Sequence, residues 1–155
     1  MANRANDACA QAHGRRSQRS GSQPGEQGAE ELDLVLARTV QAPAIARSAI
    51  AERCDRLGID GSLSQSLILL VSEVVSNAVR HSTADPQEPV GLLARFDARA
   101  VRVTVTDAGK GFTPRPRDPS RTHDGYGLYL LEKVAASWGV ESRGDTKVWF
   151  ELTRD

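Results

Sequence analysis

The sequence predicts an α+β fold of two layers, with helices packed on one face of a mixed, mostly antiparallel sheet. Three observations carry that prediction. Val101-Arg102-Val103-Thr104-Val105-Thr106 alternates apolar and other residues strictly, as a strand with one buried face does. Two segments before it repeat apolar residues at helical spacing. After a third helical segment, residues 138–142 and 147–152 read as a closing antiparallel pair, which suits helices laid over an antiparallel sheet.

The elements follow in order. Leu32-Asp33-Leu34-Val35-Leu36 alternates like a short strand. Pro43 marks a helix start. Ala44, Ile45, Ala49, Ile50 and Leu57 recur at helical spacing, and Gly58 supplies a stop. A second helix opens at Gly61-Ser62, with Ser62 as the expected N-cap. It continues through Ile68, Val71, Val74, Val75 and Ala78 to about Ser82. Pro86 and Pro89 punctuate the next turn. Val90–Phe96 and Val101–Thr106 are then two strands joined at Asp97-Ala98-Arg99. A third helix is expected over residues 127–137.

The chain has 155 residues, which suits one domain. Its charges balance to a formal net charge of +0, against the basic excess of a general nucleic-acid binder. Hydrophobic residues make up 39% but aromatic ones only 5%, so the core must rest on Val, Leu, Ile and Ala. Cys9 and Cys54 have neither metal spacing nor a disulfide framework, which fits a reducing cytoplasm. No apolar run is expected to reach bilayer-spanning length. The N-terminus lacks the hydrophobic stretch of a secretory signal. Residues 1–30 contain no Val, Ile, Leu or Phe and cannot offset their ordering entropy. They are expected to form a disordered tail ahead of a domain spanning 31–155. Such a tail suits an inert extension or a docking arm.

Candidate chemistry gathers in three places. In the second helix, Val71, Val74, Val75 and Ala78 share one face, while Glu73 and Asn77 lie one turn apart on another edge, with Arg80 continuing the stripe. The Asn77 side-chain carbonyl suits Mg²⁺, a hard cation that prefers oxygen. A carboxylate one turn away suits the orientation or deprotonation of a nucleophile. The same residues also suit the solvated stripe of an amphipathic helix.

The second place follows the strand ending at Thr106. Asp107-Ala108-Gly109-Lys110-Gly111 sets an acid at a strand end before two alternating glycines, which permit a tight path and close ligand approach. A buried carboxylate there would accept a hydrogen bond from the exocyclic amine of adenine and reject guanine. A plain turn uses the same residue types. Lys110 reads as a solvated turn residue rather than a phosphate contact.

The third place is Gly125-Tyr126-Gly127-Leu128, opening a helix. Backbone N–H groups at such a start suit phosphate oxygens, although a glycine hinge has the same sequence. Neither G-x-x-x-x-G-K-[ST] nor G-x-G-x-x-G is present. Between the glycine loops, residues 112–122 carry three prolines and three arginines, a composition for a lid or a solvated connection.

In this order and spacing the segments resemble the GHKL ATPase superfamily, with its Bergerat ATP-binding fold. Residues 73–81 look like its N box, 107–111 like its G1 box and 125–128 like its G2 box. Residues 144–150 are similar to its final nucleotide-contacting strand. Residues 72–81 resemble in particular the single-domain anti-sigma-factor protein serine kinases. On this resemblance neither a phosphoacceptor-histidine helix before the domain nor a transducer domain after it is expected, unlike in complete histidine kinases and gyrases.

The resemblance implies ATP and Mg²⁺ as cofactors, Glu73 as general base and Asn77 as Mg²⁺ ligand. It implies Asp107 as the adenine contact, with Gly109 and Gly111 shaping its pocket. Gly125 and Gly127 would approach the phosphates, and Thr146 would add a contact near adenine. The implied activity is serine/threonine protein kinase, binding a sigma factor and phosphorylating an anti-sigma antagonist. The implied protein is cytoplasmic, without direct nucleic-acid or membrane contact. Members of this group often form homodimers, and no interface stripe stands out in this sequence. A non-catalytic, ATP-gated regulatory module fits the same motifs, as does a detached histidine-kinase catalytic domain.

Overall fold

A computed structural model describes residues 28–109 and 126–154. Strand β1 (Glu30–Leu36) is followed by helix α1 (Ala42–Leu57) and helix α2 (Gly61–His81). Strands β2 (Val90–Phe96) and β3 (Ala100–Asp107) come next, then helix α3 (Tyr126–Val134), and finally β4 (Ser137–Arg143) and β5 (Asp145–Thr153). The five strands form one sheet in the order β1-β2-β3-β5-β4. The expectation of a mixed sheet is corrected in one respect: every pairing among the described strands is antiparallel.

Alternation along each strand decides which side chains meet the helices. Val90, Leu92, Ala94 and Phe96 of β2 are buried, as are Val101, Val103 and Val105 of β3 and Phe150 and Leu152 of β5. The register sets Leu92 opposite Val105, and Val103 opposite Phe150. On the outer face the Arg102 guanidinium lies 4.0 Å from the centre of the Trp149 ring. A side chain at Gly139, opposite Trp149 in the register, would come within 2.8 Å of that indole.

The helices start and stop for local reasons, and not always as the sequence suggests. α1 has Pro43 in its first turn, where a missing N–H costs nothing. It ends at Gly58, left-handed at φ 67°, and Ile59 N–H donates to the Cys54 carbonyl at 2.8 Å, closing the last turn. Its buried stripe is Ala42, Ala46, Ile50 and Cys54, whereas Ile45 is exposed. The expected stripe is therefore corrected: the buried positions fall one per turn, and Ile50 is the one bulky side chain among them. The α2 N-cap is Asp60 in extended conformation, not Ser62, which sits inside the first turn. α3 ends at Val134 rather than near Ser137, because Ser137 already pairs with Glu151 in the sheet.

α2 is the central helix, with Leu67, Leu70, Val71, Val74 and Val75 buried against the sheet and the other helices. By length and composition it is apolar enough to cross a bilayer, with a mean hydropathy of 1.3, contrary to the expectation for this chain. Its buried side chains belong to the protein core. The tail expected over residues 1–30 lies largely outside the described residues, and Glu30 already belongs to β1. The arginine- and proline-rich segment 112–122 lies outside them too.

Candidate functional site

The inner face of the sheet turns polar at one end. Continuing the alternation of Val101, Val103 and Val105 brings Asp107 into the same buried register, and the pairing sets it between Val90 and Thr146. Asp107 and Thr146 are the buried polar residues of the described core, each 7% exposed. A carboxylate in a core position needs partners, and Asp107 has three. Its Oδ1 accepts hydrogen bonds from Arg38 Nη2 at 2.6 Å, Ser82 Oγ at 2.8 Å and Gly109 N–H at 3.2 Å. Among the described residues none donates to Oδ2, and that oxygen is not sealed from solvent.

Thr146 Oγ donates to the Gly109 carbonyl at 2.9 Å, tying the start of the glycine loop to β5. Gly109 is thus held on both sides, by its N–H to Asp107 and by its carbonyl to Thr146. A Cβ there would lie 2.8 Å from Ser82 Oγ and 3.1 Å from Thr83 N. This glycine is required by the end of α2 packed over it.

These groups border a cavity between α2, α3 and the ends of β3 and β5. Val74, Ala78, Val105, Leu131 and Val148 supply apolar walls. Asn77, His81, Ser82, Thr83, Asp107, Gly109 and Thr146 supply polar ones. The enclosed part of the space between them is small, about 50 Å³. Apolar walls with one carboxylate oxygen available as acceptor suit a flat heteroaromatic ring bearing an N–H donor.

The structure thus brings Asn77, Asp107, Gly109 and Thr146 to one cavity. Glu73, half-buried one turn before Asn77, is not among the cavity walls. Gly127 lies in the first turn of α3, where backbone N–H groups have no intrahelical partner. Gly111 and Gly125 lie outside the described residues. No group of three or more His, Cys, Asp and Glu among the described residues could hold a metal ion. An Mg²⁺ at Asn77 would accordingly complete its shell with phosphate and water oxygens, the usual way this ion is bound.

Arg38 is the residue that sequence reasoning missed. Besides Asp107, it donates from Nη1 to the Ala78 carbonyl at 2.7 Å and from Nε to the Glu88 carbonyl at 3.1 Å. Ala78 is among the last four residues of α2, whose carbonyls lack helical partners. Arg38 therefore caps that helix and neutralises Asp107 together. The signal was parity: Leu32, Leu34 and Leu36 point inward, and the next position in that series is 38.

The histidine kinase-like ATPase domain family matches residues 35–152. Among curated proteins no sequence matches the chain. Among solved structures, the RsbU and RsbW domains of Rv1364c from Mycobacterium tuberculosis are similar, with a TM-score of 0.64 and 23% identity. That match covers 81% of this chain and 32% of the other, so the chain spans about a third of that protein's length and the likeness concerns the fold. The histidine kinase domain of the blue-light activated histidine kinase from Erythrobacter litoralis EL346 is also similar, at 22% identity and a TM-score of 0.47. Here the match covers 69% of this chain and 60% of the other.

Proposed function

The chain belongs to the family of histidine kinase-like ATPase domains, and on that premise we propose that it is an ATP-dependent serine/threonine protein kinase of the anti-sigma type. It binds a sigma factor and phosphorylates an antagonist protein on Ser or Thr. The observation that carries the reading is the meeting of Asp107, Thr146 and Asn77 on one cavity with apolar walls.

In this reading Asp107 Oδ2 accepts the exocyclic N–H of adenine, and Val74, Ala78, Val105, Leu131 and Val148 exclude water from the ring. Asn77 offers its side-chain oxygen to Mg²⁺. Gly109 and Gly111 shape the adenine pocket, and Gly127, in the first turn of α3, approaches the phosphates as Gly125 does. ATP–Mg²⁺ supplies the phosphoryl group. Glu73 orients the acceptor hydroxyl and takes up its proton, so catalysis is mostly positioning and charge neutralisation. The same reading includes a cytoplasmic location, self-association into a homodimer and no direct contact with nucleic acid or membrane. Residues 72–81, which resemble the anti-sigma kinases, support the choice of partners.

Incubation with labelled ATP and the cognate antagonist tests it. Acid-stable label on the antagonist, lost in Glu73→Ala, is the expected result. Acid-labile label would instead indicate phosphorylation of a histidine. A second reading is favoured by one observation: Glu73 is not among the cavity walls. There the protein is an ATP-gated regulator without turnover, in which nucleotide changes partner affinity. ATP-dependent partner binding with no phosphate transfer would establish that reading and sink the kinase.

A further inference from the structure

The hydrogen bonds around Asp107 are one-sided. Three donors from three separate segments converge on Oδ1, and among the described residues none reaches Oδ2. Each of two donors is itself constrained. Arg38 cannot swing away, because its other two nitrogens are engaged by the Ala78 and Glu88 carbonyls. Ser82 Oγ accepts the Ala84 N–H at 2.9 Å, which leaves its proton directed at Asp107. The side chains of the Arg38–Asp107 pair are 6% and 10% exposed, so water competes little for these bonds.

We propose that Arg38 is a positioning residue that fixes the direction in which residue 107 presents itself to a purine, and so sets the choice between 6-amino and 6-oxo bases. The inference rests on the reading of the cavity as an ATP site and adds to it the residue behind its specificity. A carboxylate has two acceptors, so its orientation is hidden in the wild type. An amide is not symmetric. With three donors aimed at the Oδ1 position, an Asn side chain must place its oxygen there, because its NH₂ would face donors. Its NH₂ then occupies the Oδ2 position and points a donor toward the base. Adenine meets donor against donor, whereas hypoxanthine offers an acceptor at the same carbon and lacks the 2-amino group of guanine.

The test is calorimetric titration with the Mg²⁺ complexes of ATP and inosine triphosphate (ITP), using the full chain. Wild type should prefer ATP by at least about a hundredfold, as a site built around a required hydrogen bond does. Asp107→Asn should reverse the order and favour ITP by about tenfold or more, the usual scale of one buried mispairing. Adding Arg38→Met removes the charged donor and the shortest of the three bonds, so the ratio should move back toward ATP by about tenfold, with Ser82 and Gly109 still holding the amide in part. An Asp107→Asn variant that keeps the ATP preference, or weakens both nucleotides equally, overturns the proposal. So does a double variant with the same ratio as Asp107→Asn alone, since a merely structural Arg38 would not move a ratio. If Asp107→Asn does not fold, Arg38→Lys decides, because a single nitrogen cannot reach acceptors that three nitrogens of the fork now serve, and a carboxylate freed on that side can turn both oxygens out of line with the base. A narrowing of the ATP:ITP ratio by about tenfold supports the proposal and an unchanged ratio overturns it. Wild type that binds neither nucleotide removes the ATP site itself, a different result from wild type that binds ATP and variants that fail to switch.

Discussion

Arg38 Nη2 and Asp107 Oδ1 lie 2.6 Å apart with both side chains almost wholly removed from solvent. A buried pair of this kind adds little beyond an apolar pair of the same volume, but removing one partner leaves the other charge uncompensated. Asp107→Leu should therefore destabilise the fold by about 3–5 kcal/mol, apart from any effect on ligand. Replacing both residues, as Arg38→Met with Asp107→Leu, should recover most of that loss. Urea unfolding midpoints of the two single variants and the double variant check the cycle. Additive losses would mean that the ion pair is not the coupling.

Gly109 offers a second test at the same site. The Cβ of Gly109→Ala would meet Ser82 Oγ at 2.8 Å and the backbone nitrogen of Thr83 at 3.1 Å. The hydroxyl can turn aside, but the backbone cannot without moving the end of α2. A cost of about 1–3 kcal/mol is expected, the usual range for overpacking. Ser82→Gly should restore only part of it, because Thr83 N remains. Thermal unfolding of the single and paired variants measures the difference, and complete restoration would place the strain on Ser82 alone.

Asp107 was legible before the structure because period-2 alternation projects it onto the buried face of its own strand. Asn77 was legible from helical spacing against Val71, Val74 and Val75. Arg38 was not, since its partners stand 40, 50 and 69 residues away in the chain. No local pattern encodes such a contact; parity with Leu34 and Leu36 was its one trace. The α1 stripe was misread for a related reason. Ala42 and Ala46 carry little hydrophobic signal, yet both are wholly buried. Ser62 looked like a cap by residue type, but the cap is Asp60, and the turn into the helix is made by Gly61 at φ 64°.

The turn between β2 and β3 predicts a pH effect remote from the cavity. Asp97 accepts the N–H groups of Arg99 and Ala100, each at 2.8 Å, and these bonds hold its carboxyl below its ordinary value of 3.8. A carboxylate lowered on folding stabilises the protein above its unfolded pKa. That contribution disappears as pH falls through the lower, folded value. Asp97→Asn keeps an acceptor oxygen and should flatten stability against pH below about 4. Asp97→Ala should cost about 1 kcal/mol at neutral pH as well. Unfolding free energies from pH 2 to 7 separate the two variants, and an Asn variant with an unchanged acid limb would show that Asp97 is not responsible.

Thr146 tests whether the glycine loop is anchored by its hydroxyl or by its bulk. Its Oγ donates to the Gly109 carbonyl at 2.9 Å in a buried setting. Thr146→Val preserves the shape and removes the donor, leaving that carbonyl with one partner fewer at a cost of about 1–3 kcal/mol. Thr146→Ser keeps the donor and loses a methyl, which should cost no more than about 1 kcal/mol. Because Gly109 N–H also donates to Asp107, loosening of the carbonyl should reach the carboxylate. Nucleotide affinity should then fall in the Val variant and hold in the Ser variant. Amide hydrogen exchange at Gly109 reports the anchor directly: faster exchange in Thr146→Val than in Thr146→Ser is the expected order. Equal rates would leave the side-chain volume of Thr146, rather than its hydrogen bond, as what holds the loop.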